Sequence, residues 1–117
     1  DATRYALSCI PREKVILGIG TYGRDWNLNR GTKSTFYQSN LDNLLKSSYP
    51  QVRGFDLSSY TPYIDYRDQN GQQHRVWYEN NVSLGEKYAV ALENKLPGIS
   101  FWRLTGAFTD FYRILGE

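Results

Sequence analysis

Two short apolar runs limit most strongly what this chain can fold into. Lys14–Gly20 reads KVILGIG and Gly98–Leu104 reads GISFWRL. Neither run alternates apolar and polar residues, so each predicts a strand covered on both faces, as in a parallel sheet. Between them, Ser83–Lys95 predicts a helix. Ser83 and Glu86 suit a capping box, Leu84, Tyr88, Ala91 and Leu92 form one stripe, and Pro97-Gly98 is a stop. A helix placed there supplies the crossover that two parallel strands require.

The rest of the chain surrounds this unit. Residues 3–10 predict a helix ended by Pro11, with Tyr5, Leu7 and Ile10 as apolar contacts and Cys9 as a buried thiol. Residues 27–37 are polar with glycine and predict a loop. Ser39–Ser48 predicts a short helix capped by Ser39, with Asp42 at its third position and Leu41, Leu44 and Leu45 on one face. Gln51–Leu57 predicts a strand. Ser59–Arg67 and His74–Glu79 predict a hairpin around Asn70-Gly71, and Pro62 restricts its strand to an edge or to the start of the ladder. Thr109–Leu115 predicts a final helix. The outline is an α/β unit from residues 1–26 and 81–117, carrying an α+β insertion over residues 27–80. A small free-standing α+β fold is the alternative.

Composition closes several routes. The 117 residues are 40% apolar and 22% charged, a folded composition that suits one modest domain or part of a larger one. No run approaches the roughly 18 apolar residues of a membrane-spanning helix. The N-terminus lacks the order of a signal peptide, and the absence of Met fits an internal piece of a longer polypeptide. A net charge of +2, with no basic cluster, argues against nucleic acid as a partner. One cysteine and one histidine exclude an internal disulfide, a cysteine zinc cluster and a multi-histidine metal site. No phosphate-loop, dinucleotide or GxSxG sequence is present, so no cofactor is expected.

The aromatic content is the unusual figure: three Trp, ten Tyr and five Phe, 15% of the chain. Tyr22, Arg24, Asp25 and Trp26 follow the first apolar strand, and Trp102 and Arg103 end the second. Carboxyl ends of strands are where α/β sheets bind ligands. Rings beside fork-shaped hydrogen bonders suit sugars, whose flat faces stack while their hydroxyls are held. The same rings also suit a core, and the residues alone leave both readings open. Asp25, Asp65, Asp68, Glu79 and Asp110 are scattered acids with no local pairing, read as surface or loop groups, as is Asp56. His74 reads as structural or exposed.

Taken together, these segments resemble glycoside hydrolase family 18. KVILGIGTYGRDW at Lys14–Trp26 is similar to that family's seventh strand and its Tyr-Gly-Arg. TPYIDYRDQNGQQHRVWYEN at Thr61–Asn80 is similar to the end of the insertion many members carry. Ser83 with Lys87 resembles the opening of the seventh barrel helix, and Gly98–Leu104 resembles the eighth strand with its Trp. The wording around His74–Glu79 resembles the bacterial branch with cell-wall and spore-cortex members. The resemblance runs over essentially the whole chain.

It implies the C-terminal segment of a (β/α)8 barrel with an inserted α+β subdomain. It also implies hydrolysis of β-linked N-acetylglucosamine polymers, chitin or peptidoglycan-like, by a retaining mechanism assisted by the substrate's own N-acetyl oxygen. Trp102 would be the floor under the reacting sugar, Tyr22 would line the same subsite, and Arg24 would hydrogen-bond neighbouring sugars. No residue here is assigned a catalytic role, because the family's DxxDxDxE motif and sixth-strand Tyr-Asp pair have no match. The implied partners are an N-acetylated polysaccharide and the missing N-terminal barrel portion, without a membrane; unpaired strand edges predict self-association of the isolated chain. The implied location is extracellular, at the cell wall or spore. Gly20 replaces the family's common Pro, and Arg103-Leu104-Thr105 replaces the acidic residue many chitinases carry after the Trp. A carbohydrate-binding module without catalysis and a purely structural domain are the other function classes.

Overall fold

The computed structural model describes residues 2–102. The helix expected at Thr109–Leu115 lies outside them, as do Arg103 and Asp110. Among the described residues the chain runs through α1 (Ala2–Cys9), a 3-10 turn (Arg12–Lys14), β1 (Ile16–Gly20), β2 (Gly23–Asn27), β3 (Thr32–Phe36), α2 (Gln38–Lys46), β4 (Gln51–Asp56), β5 (Thr61–Arg67), β6 (Gln73–Trp77), α3 (Asn81–Glu93) and β7 (Gly98–Trp102).

The two apolar runs pair in parallel, in register from Ile16 opposite Gly98 to Gly20 opposite Trp102. Strand side chains alternate between faces. One face holds Leu17, Ile19, Ile99 and Phe101, which pack with Tyr88 and the fully buried Leu84 of α3. The opposite face holds Ile16, Ser100 and Trp102, and all three are exposed. Cover on both faces, expected from the unalternated runs, is therefore present on one face among the described residues.

The second sheet is antiparallel, ordered β3-β2-β6-β5-β4. Helix α2 covers one face, where Phe36, Leu41, Leu44, Ile64, Tyr66 and Val76 form a core. Ile64 and Val76 are cross-strand partners with no exposed surface. The other face carries Arg24, Trp26, Tyr63, Asp65, Arg75 and Trp77 by strand parity. There Arg75 donates to Asp65 from Nε and Nη2 at 2.6 and 2.7 Å, with its guanidinium 4.5 Å from the Tyr63 ring centre. The chain enters this sheet where it leaves it. A Cβ on Gly23 would lie 2.1 Å from the Trp77 carbonyl oxygen, so the first residue of β2 meets the end of β6 backbone to backbone.

Several expectations are corrected. Residues 27–37 are not all loop, since Thr32–Phe36 forms edge strand β3; its exposed side chains give no apolar pattern, and pairing with β2 makes the strand. Strand β2 crosses the expected 26/27 boundary and belongs to the insertion's sheet. Pro62 starts its ladder but sits in an internal strand, where its carbonyl accepts from Tyr78 N at 3.2 Å. Helix α2 starts after Tyr37, whose N–H donates to Asn40 Oδ1 at 2.8 Å, so Ser39 and Asp42 are not the cap pair. Helix α3 is capped by Asn80, with reciprocal 2.9 Å bonds to Ser83 at the third helical position. The α2 box thus lies two residues, and the α3 box three residues, ahead of the expected one. Cys9, Tyr5 and Ile10 are exposed, because no described element covers that side of α1; Leu45 is at the surface too.

Candidate functional site

Of the three residues expected to bind sugar, the structure brings Tyr22 and Arg24 together, while Trp102 stands at the end of the parallel pair and does not line their concavity. Trp102 closes β7 opposite Gly20, and its carbonyl accepts from Thr21 N at 2.8 Å. Tyr22 is the next residue, in the turn into β2. Trp102 is 69% exposed and lies on the face turned away from α3. This answers the question left open by its apolar neighbours: the ring is not core among the described residues.

Tyr22 is half-buried, and a Cβ on Gly20 would lie 2.8 Å from its ring. The glycine thus leaves room for the ring to lie against the strand end. The Arg24 guanidinium is 5.2 Å from the Tyr22 ring centre, within cation–π range. Its Nη1 donates to Thr35 Oγ1 at 2.5 Å, which fixes the side chain while the fork keeps further donors. Trp77 stands opposite Arg24 in the β2–β6 register. With Thr61, these groups enclose a concavity of about 140 Å3 running from Tyr22 to Trp77 and Glu79. The arrangement offers rings and a planar cationic donor.

Glu79 is the residue that sequence reasoning undervalued. It has no acidic neighbour in the sequence, yet it is 8% exposed. Ser83 Oγ donates to its Oε2 at 2.5 Å, and Lys87 Nζ pairs with Oε1. The signal was the four-residue step from Ser83 to Lys87, which puts both on one helical face one turn apart. Glu79 therefore ties the end of β6 to α3, anchoring the insertion beside Tyr22.

A second cluster joins other acids that looked scattered. His74 lies between Asp25 Oδ1 and Asp68 Oδ2, each at 2.8 Å, and Tyr66 Oη donates to Asp25 Oδ2 at 2.5 Å. Burial opposes the charged imidazole, but the hydrogen bonds to Asp25 and Asp68 outweigh it and raise the His74 pKa above its ordinary value. The bond from His74 holds Asp68 below the usual carboxylate range. Burial first, then the bond to Asp25, pushes the Tyr66 phenol up. Asp65 is engaged by Arg75, and Asp56 accepts from Ser58 and Ser59 in the turn after β4. Among the described residues no group of acids, histidine and cysteine could hold a metal ion, and no helix is long and apolar enough to cross a membrane.

Comparison with known proteins places these observations in a family. The family model for glycosyl hydrolases family 18 matches residues 1–107. The cortical fragment-lytic enzyme of Bacillus cereus is 31% identical over 120 residues, covering 100% of this chain and 28% of that protein. The crystal structure of the Bacillus cereus spore cortex-lytic enzyme SleL superposes with a TM-score of 0.81 at 30% identity, over 97% of this chain and 27% of that one. A chitinase from Chromobacterium violaceum superposes with a TM-score of 0.82 at 26% identity, over 94% of this chain and 35% of that one. The chain thus spans little more than a quarter of the curated relatives it matches.

Proposed function

The chain belongs to glycosyl hydrolases family 18, and from that premise we propose that it is the sugar-binding C-terminal part of a (β/α)8 glycosidase. The substrate is a β-linked N-acetylglucosamine-containing polysaccharide, chitin or peptidoglycan-like. The observation that carries this reading is Trp102: an indole 69% exposed at the carboxyl end of a parallel strand, opposite Gly20, from which the chain runs on to Tyr22.

In this reading Trp102 is the floor on which the reacting sugar stacks. Tyr22 flanks it, held by Gly20 and Arg24, and Arg24 directs its remaining donors to sugar hydroxyls. The insertion forms a wall of the groove through Trp77 and Thr61. These groups bind and orient; in the substrate-assisted retaining mechanism the N-acetyl oxygen attacks the anomeric carbon. The proton for the leaving oxygen comes from an acid that is not among these 117 residues, so the chain alone is inactive. The remaining barrel strands pair with the open edges of β1 and β7. The similarity to cortex-lytic enzymes favours an extracellular setting at the spore or cell wall.

The test uses the intact protein that carries this chain and N-acetylglucosamine oligomers. Trp102→Ala is expected to lower kcat/KM by about 100-fold, since loss of the stacking floor misplaces the reacting bond. Tyr22→Phe keeps a ring and is expected to cost less, about 10-fold. Unchanged cleavage by the Trp102 variant, or turnover by the 117-residue chain alone, overturns the reading.

A further inference from the structure

Arg24 and Asp25 are neighbours on β2 and project to opposite faces of the sheet. Arg24 serves the concavity beside Tyr22. Asp25 faces the layer between the sheet and α2, where a separate cavity of about 410 Å3 opens. That size falls in the usual range of roughly 300–1,000 Å3 for small-molecule sites. Asn40 and Asn43 of α2, Ser34 of β3, Asp25, Tyr49 and Tyr66 are among the residues that line it.

The chemistry of this wall selects the ligand class. Tyr49 and Tyr66 line the cavity with their rings stacked on each other, centres 6.0 Å apart and planes 17° from parallel, and Tyr66 is also stacked on His74. The amides of Asn40 and Asn43 and the Ser34 hydroxyl supply neutral donors and acceptors. Asp25 is the one ionisable acid or base other than Tyr in the wall, and His74 and Tyr66 already hold its two oxygens. A strongly charged ligand therefore finds no counter-charge free to meet it. Behind the wall, Gln51 donates to Leu44 O and Ser47 Oγ, while its buried Oε1 has no partner among the described residues. Ring edges together with neutral amide and hydroxyl hydrogen bonders suit a hydroxylated ring.

We infer that this cavity is a second, non-catalytic site for one unit of an uncharged saccharide, on the far side of the insertion's sheet from Tyr22 and Trp102. It goes beyond the proposed function, because it neither uses nor requires the cleft. In a polymer-degrading enzyme such a site would add a second attachment point and raise retention on the polymer.

The test is binding of N-acetylglucosamine trisaccharide, followed by calorimetry and saturation-transfer NMR on the intact protein. Trp102→Ala removes the cleft floor, and a residual site is expected to remain. Adding Asn43→Trp, at an exposed helix position, plugs the cavity mouth and is expected to weaken that residual binding at least tenfold. Ser34→Trp, an independent plug from exposed β3, should act alike if either variant perturbs folding. Residual binding that survives both plugs, or no residual binding after Trp102→Ala, overturns the inference. So does binding of spermidine in place of the sugar. Failure of the cleft reading shows instead as unchanged cleavage after Trp102→Ala, so the two outcomes are distinguishable.

Discussion

The insertion and the parallel unit stabilise themselves differently. The insertion closes its own core: six buried residues from β3, α2, β5 and β6 meet between one sheet and one helix. In the parallel unit β1 and β7 bury one small cluster under α3 and leave Ile16, Val82, Leu92 and Trp102 exposed. The lesson is that exposure carries different meanings in the two regions. In the insertion the uncovered face is occupied by a ladder of rings and paired charges around Arg75. In the parallel unit the uncovered sheet face carries Ile16 and Ser100 with no such ladder and ends in the ring proposed to bind sugar.

Four substitutions press on that comparison. The largest difference is expected between two fully buried aliphatics. Ile64→Ala removes a side chain at the centre of the insertion's core and should cost about 4 kcal/mol, while Leu84→Ala, in the smaller cluster, should cost nearer 2 kcal/mol. Chemical denaturation of the chain measures both, and equal losses would mean that the two regions share one cooperative core.

Gly23→Ala tests the junction. Its Cβ would clash with the Trp77 carbonyl, a backbone atom that cannot swing aside. We expect a loss of about 3 kcal/mol, together with loss of the β2–β6 amide protection seen by hydrogen exchange. A neutral outcome would mean that the insertion is not held by this close approach.

The smallest effect is electrostatic and confined to the insertion. The His74 pKa is raised in the folded state, so its contribution is full below its unfolded value of about 6.5 and is lost as pH rises through the folded value. Asp68 is lowered, so its contribution is present above about 3.9 and is lost as pH falls below it. Stability from this cluster should therefore be greatest between about pH 4 and 6.5. His74→Gln should cost about 2 kcal/mol in that window and less at pH 9. A pH-independent loss would show that the imidazole acts by packing alone.

Much of this molecule is legible along the chain. The unalternated runs, the helix stripe with its Pro-Gly stop, and the Asn70-Gly71 turn specify β1, β7, α3 and the β5–β6 hairpin, because each depends on periodicity or turn chemistry within a few residues. Tyr22 and Trp102 were legible as candidates because strand ends can be counted. Edge strand β3 was not, since four of its five side chains are exposed and carry no period-2 apolar signal. Glu79 looked like any loop acid until burial against Ser83 and Lys87 set it apart.

The sequence by itself determined most of the local elements, the parallel pairing and the family, since hydrophobic period, turn residues and motif spacing are written in neighbouring residues. Only the tertiary structure decided which way Trp102 points, that Trp77 stands opposite Arg24, and that Asp25 meets His74 across 49 residues. Those facts depend on strand register and on which face each helix covers. Both are fixed by contacts between segments that no local pattern specifies.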